Sequence, residues 1–597
     1  MEMSRRDVLK VGVLSSAALL LPIERVARTK SAAAGAIDQK FLPNLKFKAP
    51  LPSWAAASPT AMVDVPGVEG KVAFYEMAMK QAPANILNKI SGSPVTKPTN
   101  IWGYGGTTPG PLIRVRKGQR TIVRQINGMK GVKHPTLGYE PVTSVHLHGS
   151  ASLPEYDGYA SDVTKPDEFK DYHYPNIQDA RTLWYHDHGV HQTASNAYMG
   201  LAAQYQIYDD NEIKLANDGY LPFHNKYDVP LTVRDAIFGT NGQLIYDDNS
   251  ESSVMGDVIL VNGAPWPVMK VERRKYRFRI LNASVSRSYR FALSTGDPVT
   301  FVATDGGLMP YAQKATSWRH GMAERYEVII DFAKYTVGQR VVLRNLSLPN
   351  NVDYDSTKDV MAFDVVDGIE SQQGNLDIPE GYVLNANPDV MALPDGPTAH
   401  SFQLVRTNGS WTVNGSTWVD VVDSDYGEPL YSPEPGASEV WEIKNPSGGW
   451  FHPFHIHLVD FRILSRNGKP PFPYELGPKD VVYVGENETV RVALKLRGPD
   501  GALNADAQKC YDEEATRLAG AWTGQRTGRY MVHCHNLVHE DHDMMGQFWV
   551  GGPPETTHPR GNTSASEDPH HPVEAAKARS WNANLSGAPD LDNFKGF

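Results

Sequence analysis

The histidines of this chain gather where they could do chemistry together. Of 20 in the sequence, most fall in four short stretches: "HLH" at His146 and His148, "WYHDH" at His186 and His188, "HPFHIH" at His452, His455 and His457, and "HCHNLVHEDHDMM" at residues 533–545. Neutral imidazole is the commonest side-chain metal ligand. On a strand, residues i and i+2 share a face, so each His-x-His unit presents two imidazoles side by side. One such pair is easily a pair of satisfied core histidines. Four in one chain point to a metal assembly.

The last stretch divides under the same alternation: His533 and His535 take one face and Cys534 the other. On the thiolate face the local candidates for partners are His539 and Met544, and a second imidazole must come from another strand, for which His452 is the natural choice. Two imidazoles, a thiolate and a weak thioether form the ligand field of a blue-copper electron-transfer centre. On the opposite face His533 and His535 would converge with His146, His148, His186, His188, His455 and His457. Eight imidazoles exceed the need of one metal and suit several copper ions with room left for an oxygen ligand. The peptide bonds flanking Cys534 would join the two sites covalently. Zinc fits less well, since its sites close at four ligands, and a non-haem iron site would need a carboxylate. His173, His191 and His542 lie outside the His-x-His register and read as supporting or surface residues.

Such ligands need strands to hold them. Three stretches repeat one pattern, a polar-alternating, β-branched run ending in asparagine: "TPGPLIRVRKGQRTIVRQIN" to Asn127, "VNGAPWPVMKVERRKYRFRILN" to Asn282 and "EPLYSPEPGASEVWEIKN" to Asn445. Period-2 runs such as "RTIVRQI", "KYRFRIL" and "EVWEI" predict half-buried strands. The spacing predicts an all-β protein of three β-sandwich domains, at 36–212, 213–395 and 396–552, with a tail at 553–597 that loses strand periodicity. "HLH" follows the first asparagine and "HPFHIH" the third, whereas "SVSRSYRFALS" follows the second without histidine. The middle domain is therefore expected to space and wall the site without holding metal.

At 597 residues, with 41% hydrophobic and 10% aromatic residues, the chain can bury large cores. A net charge of -10 from 58 basic and 68 acidic residues gives no footprint for nucleic acid or an anionic membrane. Residues 1–35 hold Arg5 and Arg6 before a short apolar run and small residues, the layout of a twin-arginine export signal, so the mature protein is expected in the periplasm or outside the cell, without stable membrane insertion. Cys510, the other cysteine, is expected to be unpaired. The long polar segment 497–530 reads as a surface excursion or as a shaper of donor access.

In this order and over three domains, "HLHG", "WYHDH", "HPFHIH" and "HCHNLVHEDHDMM" resemble the multicopper oxidases. The stretches "VHLHGSASLPEYDGYASDVTKPDEFKDYHYPN" and "LWYHDHGVHQTASNAYMG", with Trp450 two residues before His452, are most similar to the bilirubin oxidase and spore-coat laccase branch. The resemblance implies cupredoxin-like domains, four copper ions, a monomer, dioxygen as acceptor and a small reducing donor, phenolic or bilirubin-like. It assigns the type 1 copper to His452, Cys534, His539 and Met544, the type 2 copper to His146 and His455, and the type 3 pair to His148, His186, His188, His457, His533 and His535. It also implies that Asp157 and Glu540 relay protons; read alone, the first is a turn residue in "YDGY" and the second a solvated charge beside Asp541. An alternative donor, a cuprous or manganous ion, would go with a methionine-rich insert, and the 16 methionines form no such run.

Overall fold

The computed structural model describes residues 35–53, 55–64, 70–386, 389–496, 528–551 and 579–580. The expected export signal up to residue 34, Cys510 and nearly all of the 497–530 segment lie outside the described residues. Among the described residues six sheets pair into three sandwiches. The first pairs a sheet built on Lys71–Ala84 and Thr121–Asn127 with one ordered Ile113–Arg116, Ala202–Tyr208, Arg181–Asp187, Val145–His148. The second pairs a seven-stranded with a five-stranded sheet between residues 228 and 366. The third pairs a five-stranded sheet with one ordered Val481–Val484, His452–Ile456, Gly528–Cys534, Met545–Val550. From the tail, Arg579–Ser580 pairs with Glu168–Phe169 at the edge of the first domain.

The three repeat asparagines do the same work. Asn127 Nδ2 donates to the carbonyls of Pro141 and Thr164 while its Oδ1 accepts from Met129 N. Asn282 binds the carbonyls of Arg287 and His320 and accepts from Ser284 N. Asn445 binds those of Trp450 and Gly485 and accepts from Ser447 N. Each amide thus ends a strand, turns the chain by an i to i+2 bond and pins the next segment. In the first and third domains the pinned segment leads into the histidine strands.

The strand Lys275–Asn282 departs from the half-buried expectation. Tyr276, Phe278 and Ile280 enter the apolar core as alternation requires, but Arg277 and Arg279 on the other face are buried too. Arg277 donates to Glu327, and Arg279 to Asp228 and to Glu212, which comes from the helix Asp210–Asn217. Matched charges make burial of both faces tolerable.

Register then sets the site. His146 lies opposite His186 and His148 opposite Trp184 in the first domain, and His455 lies opposite His533 with Phe454 opposite Cys534 in the third.

Candidate metal centre

Cys534 ends the strand Gly528–Cys534, and the chain then turns into the short helix Leu537–Asp541, capped by Asn536. That turn carries His539 back over the thiol. The Sγ of Cys534 lies 3.3 Å from Nδ1 of His452 and 3.6 Å from Nδ1 of His539, and the two nitrogens are 3.2 Å apart. Metal–ligand bonds of about 2.0–2.3 Å put two donor atoms of one ion roughly 3–4 Å apart. All three side chains are buried. The Nε2–H of His452 donates to Ser447 Oγ at 2.8 Å, whose own proton goes to Asn445 Oδ1, so the Nδ1 lone pair is left toward the sulfur. The repeat asparagine therefore orients a ligand. Trp411 stacks on the His539 ring with centroids 3.9 Å apart. Met544 is buried in the apolar cluster that holds Cys534, while Met545 packs in a different one with Tyr159 and Met531. Burial pushes the Cys534 thiol well above its usual range, so only a bound cation would hold it as thiolate.

On the opposite face of that strand the eight remaining imidazoles converge. Nε2 of His533 lies 3.1 Å from Nε2 of His457 and 3.3 Å from Nε2 of His188. The rings of His148, His186 and His535 have centroids 5.0–5.8 Å apart. His146 stacks on His457 at 4.0 Å and His455 on His148 at 3.7 Å.

Their hydrogen bonds are turned outward. His146 Nδ1 donates to the carbonyl of Asp157, His186 Nδ1 to that of Asp187, His455 Nδ1 to that of Asp480, and His457 Nδ1 to Asp157 Oδ2 at 2.7 Å. His533 Nδ1 lies 2.8 Å from Glu540 Oε2 and His188 Nδ1 3.4 Å from Oε1. His148 is reversed, held at Nε2 by Asp480 Oδ1 at 3.1 Å. The inward nitrogens of His146, His148, His186 and His455, and both of His535, are buried with no protein partner. Buried polar atoms ordinarily have partners. Unpartnered nitrogens on five histidines, one usable lone pair from each neutral ring, fit a donor set for cations. Burial holds His146, His148, His186, His188, His455, His457 and His535 below the usual imidazole pKa, to about 3 at His186 and about 4 at His188, which keeps their lone pairs available at neutral pH.

The two carboxylates named from the sequence both reach the cluster. Asp157 ends a 3-10 turn, so the turn reading holds as well, and burial raises it well above the usual carboxylate range. Glu540 is no solvated charge: it is buried, and although burial opposes ionisation, His533 and His188 beside it bring it down to about 2. The two carboxyls are thus shifted in opposite directions, Asp157 up by burial and Glu540 down by the neighbouring imidazoles.

Sequence reasoning missed Asp187 and Asp480. Asp187 points away from its flanking histidines and accepts from Ser144 N, Gly189 N and Asn196 Nδ2. Its place inside "WYHDH" was an available signal. Asp480, in "GPKDVVYV", had none. Of the histidines outside the register, His173 stacks on Tyr156, His191 donates to the Asp541 carbonyl, and His542 sits 3.7 Å from Asp248 of the middle domain.

Comparison with known proteins bears on what such a centre does. Three multicopper oxidase family models match residues 87–212, 226–352, and 393–501 with 511–553. The chain is 38% identical over 521 residues to a bilirubin oxidase of Albifimbria verrucaria, covering 84% of this chain and 81% of that one. It is 31% identical over 537 residues to a laccase of Bacillus subtilis, covering 80% and 94%. Among solved structures, the McoA multicopper oxidase of Aquifex aeolicus superposes with a TM-score of 0.66 at 26% identity, covering 84% and 100%, and a laccase from Pediococcus acidilactici with 0.65 at 27%, covering 85% and 95%. These neighbours share the cupredoxin-like sandwiches. No helix among the described residues is long and apolar enough to cross a membrane. With thiol and imidazoles gathered for copper and relatives of this extent, the chain belongs to the multicopper oxidase family and is a copper-dependent oxidoreductase that uses oxygen.

Proposed function

We propose that the protein oxidises phenolic or tetrapyrrole-like donors one electron at a time and reduces dioxygen to water. The observation that carries this reading is Cys534, whose thiol lies in the His452–His539 triad while both neighbours in sequence, His533 and His535, lie in the eight-histidine cluster. Electrons entering at one face have a covalent route of one residue to the other. Four ions would be held: type 1 by His452, Cys534, His539 and Met544, type 2 by His146 and His455, and the type 3 pair by His148, His186, His188, His457, His533 and His535. Bound copper supplies the one-electron redox chemistry that these side chains lack.

The chain's own groups do the rest. Reduction of oxygen to water consumes protons, and burial favours the protonated form of Asp157, beside His146 and His457. Glu540, ionised and with its Oε2 2.8 Å from His533 Nδ1, can take up a proton for delivery. The cluster residues are buried, which excludes the donor and keeps oxygen chemistry away from it. On the donor side Trp450 is half-buried and packs T-shaped on the His539 ring with centroids 5.7 Å apart, offering a flat aromatic donor a surface of its own kind. The relationship to a bilirubin oxidase supports the same donor class. The reading also places the protein outside the cytoplasm, on the twin arginines Arg5 and Arg6.

The test is to load the purified protein with copper, record the blue absorption, and compare oxygen uptake with bilirubin, a phenol and cuprous ion. A blue band with uptake on the organic donors is expected. No band and no uptake would refute the reading, and uptake on cuprous ion alone would replace the donor class.

A further inference from the structure

None of the candidate ligand groups among the described residues includes the middle domain, yet one of its side chains reaches the cluster. Arg325 opens the strand Arg325–Asp331 and is fully buried. Its two terminal nitrogens grip both carboxylate oxygens of Asp480, a residue of the third domain. Its remaining donors are committed as well: Nε to the carbonyl of Thr182, Nη1 to that of Ala323 and Nη2 to that of Asp305. All five N–H groups of the guanidinium are thus used. Behind it, Asp305 accepts from Arg325 N, and Lys479 bridges Asp305 and Glu324 at 2.8 and 3.0 Å.

Asp480 in turn touches two imidazoles from different domains. Its Oδ1 lies 3.1 Å from Nε2 of His148, and its backbone carbonyl accepts from Nδ1 of His455 at 2.8 Å. These are the stacked pair, and the contact accounts for the reversal of His148. The glycine of "HLHG" belongs to the same arrangement. A Cβ on Gly149, whose φ is +84°, would fall 2.4 Å from Asp480 Oδ2 and 2.6 Å from Arg325 Nη2. The motif's glycine is the space into which the ion pair fits.

We infer that Asp480, clamped by Arg325, is a positioning residue of the cluster: it fixes the tautomer and ring plane of His148 and His455, and through it the middle domain governs metal binding in the other two. Asp480 with His148 and His455 has the spacing of a ligand set in its own right. Its two oxygens are already engaged by a fully committed guanidinium, however, which makes it a holder of ligands and not a ligand. The inference rests on the copper reading above.

Asp480→Asn and Arg325→Lys test it, each compared with the parent protein after copper loading. The type 1 blue band reports the fold and the site that the pair does not touch. Expected is a normal blue band, with an altered type 2 electron paramagnetic resonance signal and cluster copper lost to a competing chelator at about ten- to hundredfold weaker affinity. A variant with the normal band and parental type 2 signal and copper affinity would overturn the inference. So would loss of the blue band in both variants, because the pair would then support the fold and not the cluster. If only one variant is blue, its cluster decides. A parent protein without any blue band would instead refute the copper reading itself.

Discussion

Asp157 separates two tasks that a carboxyl beside imidazoles can perform, orienting rings and passing a proton. Its Oδ2 accepts from His457 Nδ1 at 2.7 Å, its backbone carbonyl accepts from His146, and its Oδ1 is buried without a partner. Asp157→Asn keeps an acceptor for His457 and removes the acidic proton. Asp157→Ala removes both, leaving a buried N–H unpaired at about 1–3 kcal/mol. The asparagine variant is therefore expected to keep its copper and stay within about 1 kcal/mol of the parent in stability, while oxygen reduction falls by about 10²–10⁴-fold, the usual worth of a positioned acid. The alanine variant should show the same kinetic loss, about 1–3 kcal/mol less stability and about ten- to hundredfold weaker copper binding. Anaerobic bleaching of the blue band by a donor, followed by stopped flow, should match the parent in both, since Cys534 and its partners lie on the other face of the strand. Steady-state oxygen uptake completes the assay. If the asparagine variant consumes oxygen at the parental rate, Asp157 only orients, and the relay argument is wrong.

Replacing Met544 by leucine should raise the type 1 potential, because a thioether stabilises the oxidised ion; redox titration of the blue band checks it, and an unchanged potential would place the axial group elsewhere. Cys534→Ser should abolish the blue band and donor oxidation while the copper bound by the eight imidazoles remains measurable by elemental analysis; a surviving blue band would unseat the assignment. Copper removal should make stability pH-dependent. Burial depresses nine site imidazoles, to about 3 at His452 and His186 and about 4 at His188, so as pH falls below about 6.5 the unfolded chain takes up protons that the native chain refuses. Each such group lowers stability by up to about 1.4 kcal/mol per pH unit between that point and its folded pKa. Asp157, Asp187, Asp480 and Asp541, raised by burial, act in the opposite sense but are fewer. Urea midpoints of the copper-free protein should therefore drop from pH 7 to pH 4.5, and a flat profile would show that the imidazoles are not held neutral.

Period-2 logic carries far where the strand is the unit. It places His533 and Cys534 on opposite faces, pairs His146 with His148, and picks out the three asparagine-ended repeats, because all of these follow from local geometry and side-chain type. It stops where partners are distant in sequence. Nothing in "RYEVII" marks Arg325 as a clamp, and nothing in "GPKD" marks Asp480, since their meaning lies in a contact 155 residues apart. Arg277 and Arg279 read as a polar strand face for the same reason: the carboxylates that bury them are on other elements. His539 illustrates a third case. Its candidacy is legible, but the helical turn that returns it to the thiol depends on Asn536, whose side chain accepts from Val538 N and caps the turn. The helix end is also tied to the first domain, where Asp541 accepts from Thr193 N and Ala194 N.

The cluster's ownership by three domains has a consequence for how such chains can be recombined. His148 from one domain, Asp480 from another and Arg325 from the one between meet within a few bonds. A domain exchanged between relatives at the sandwich boundaries would import one member of this set and strand the others, however well the borrowed sandwich folds. Workable crossovers must carry matching partners on both sides. The unit of inheritance for this centre is the contact across domains, and the sandwich that looks modular in the fold is not modular in its chemistry.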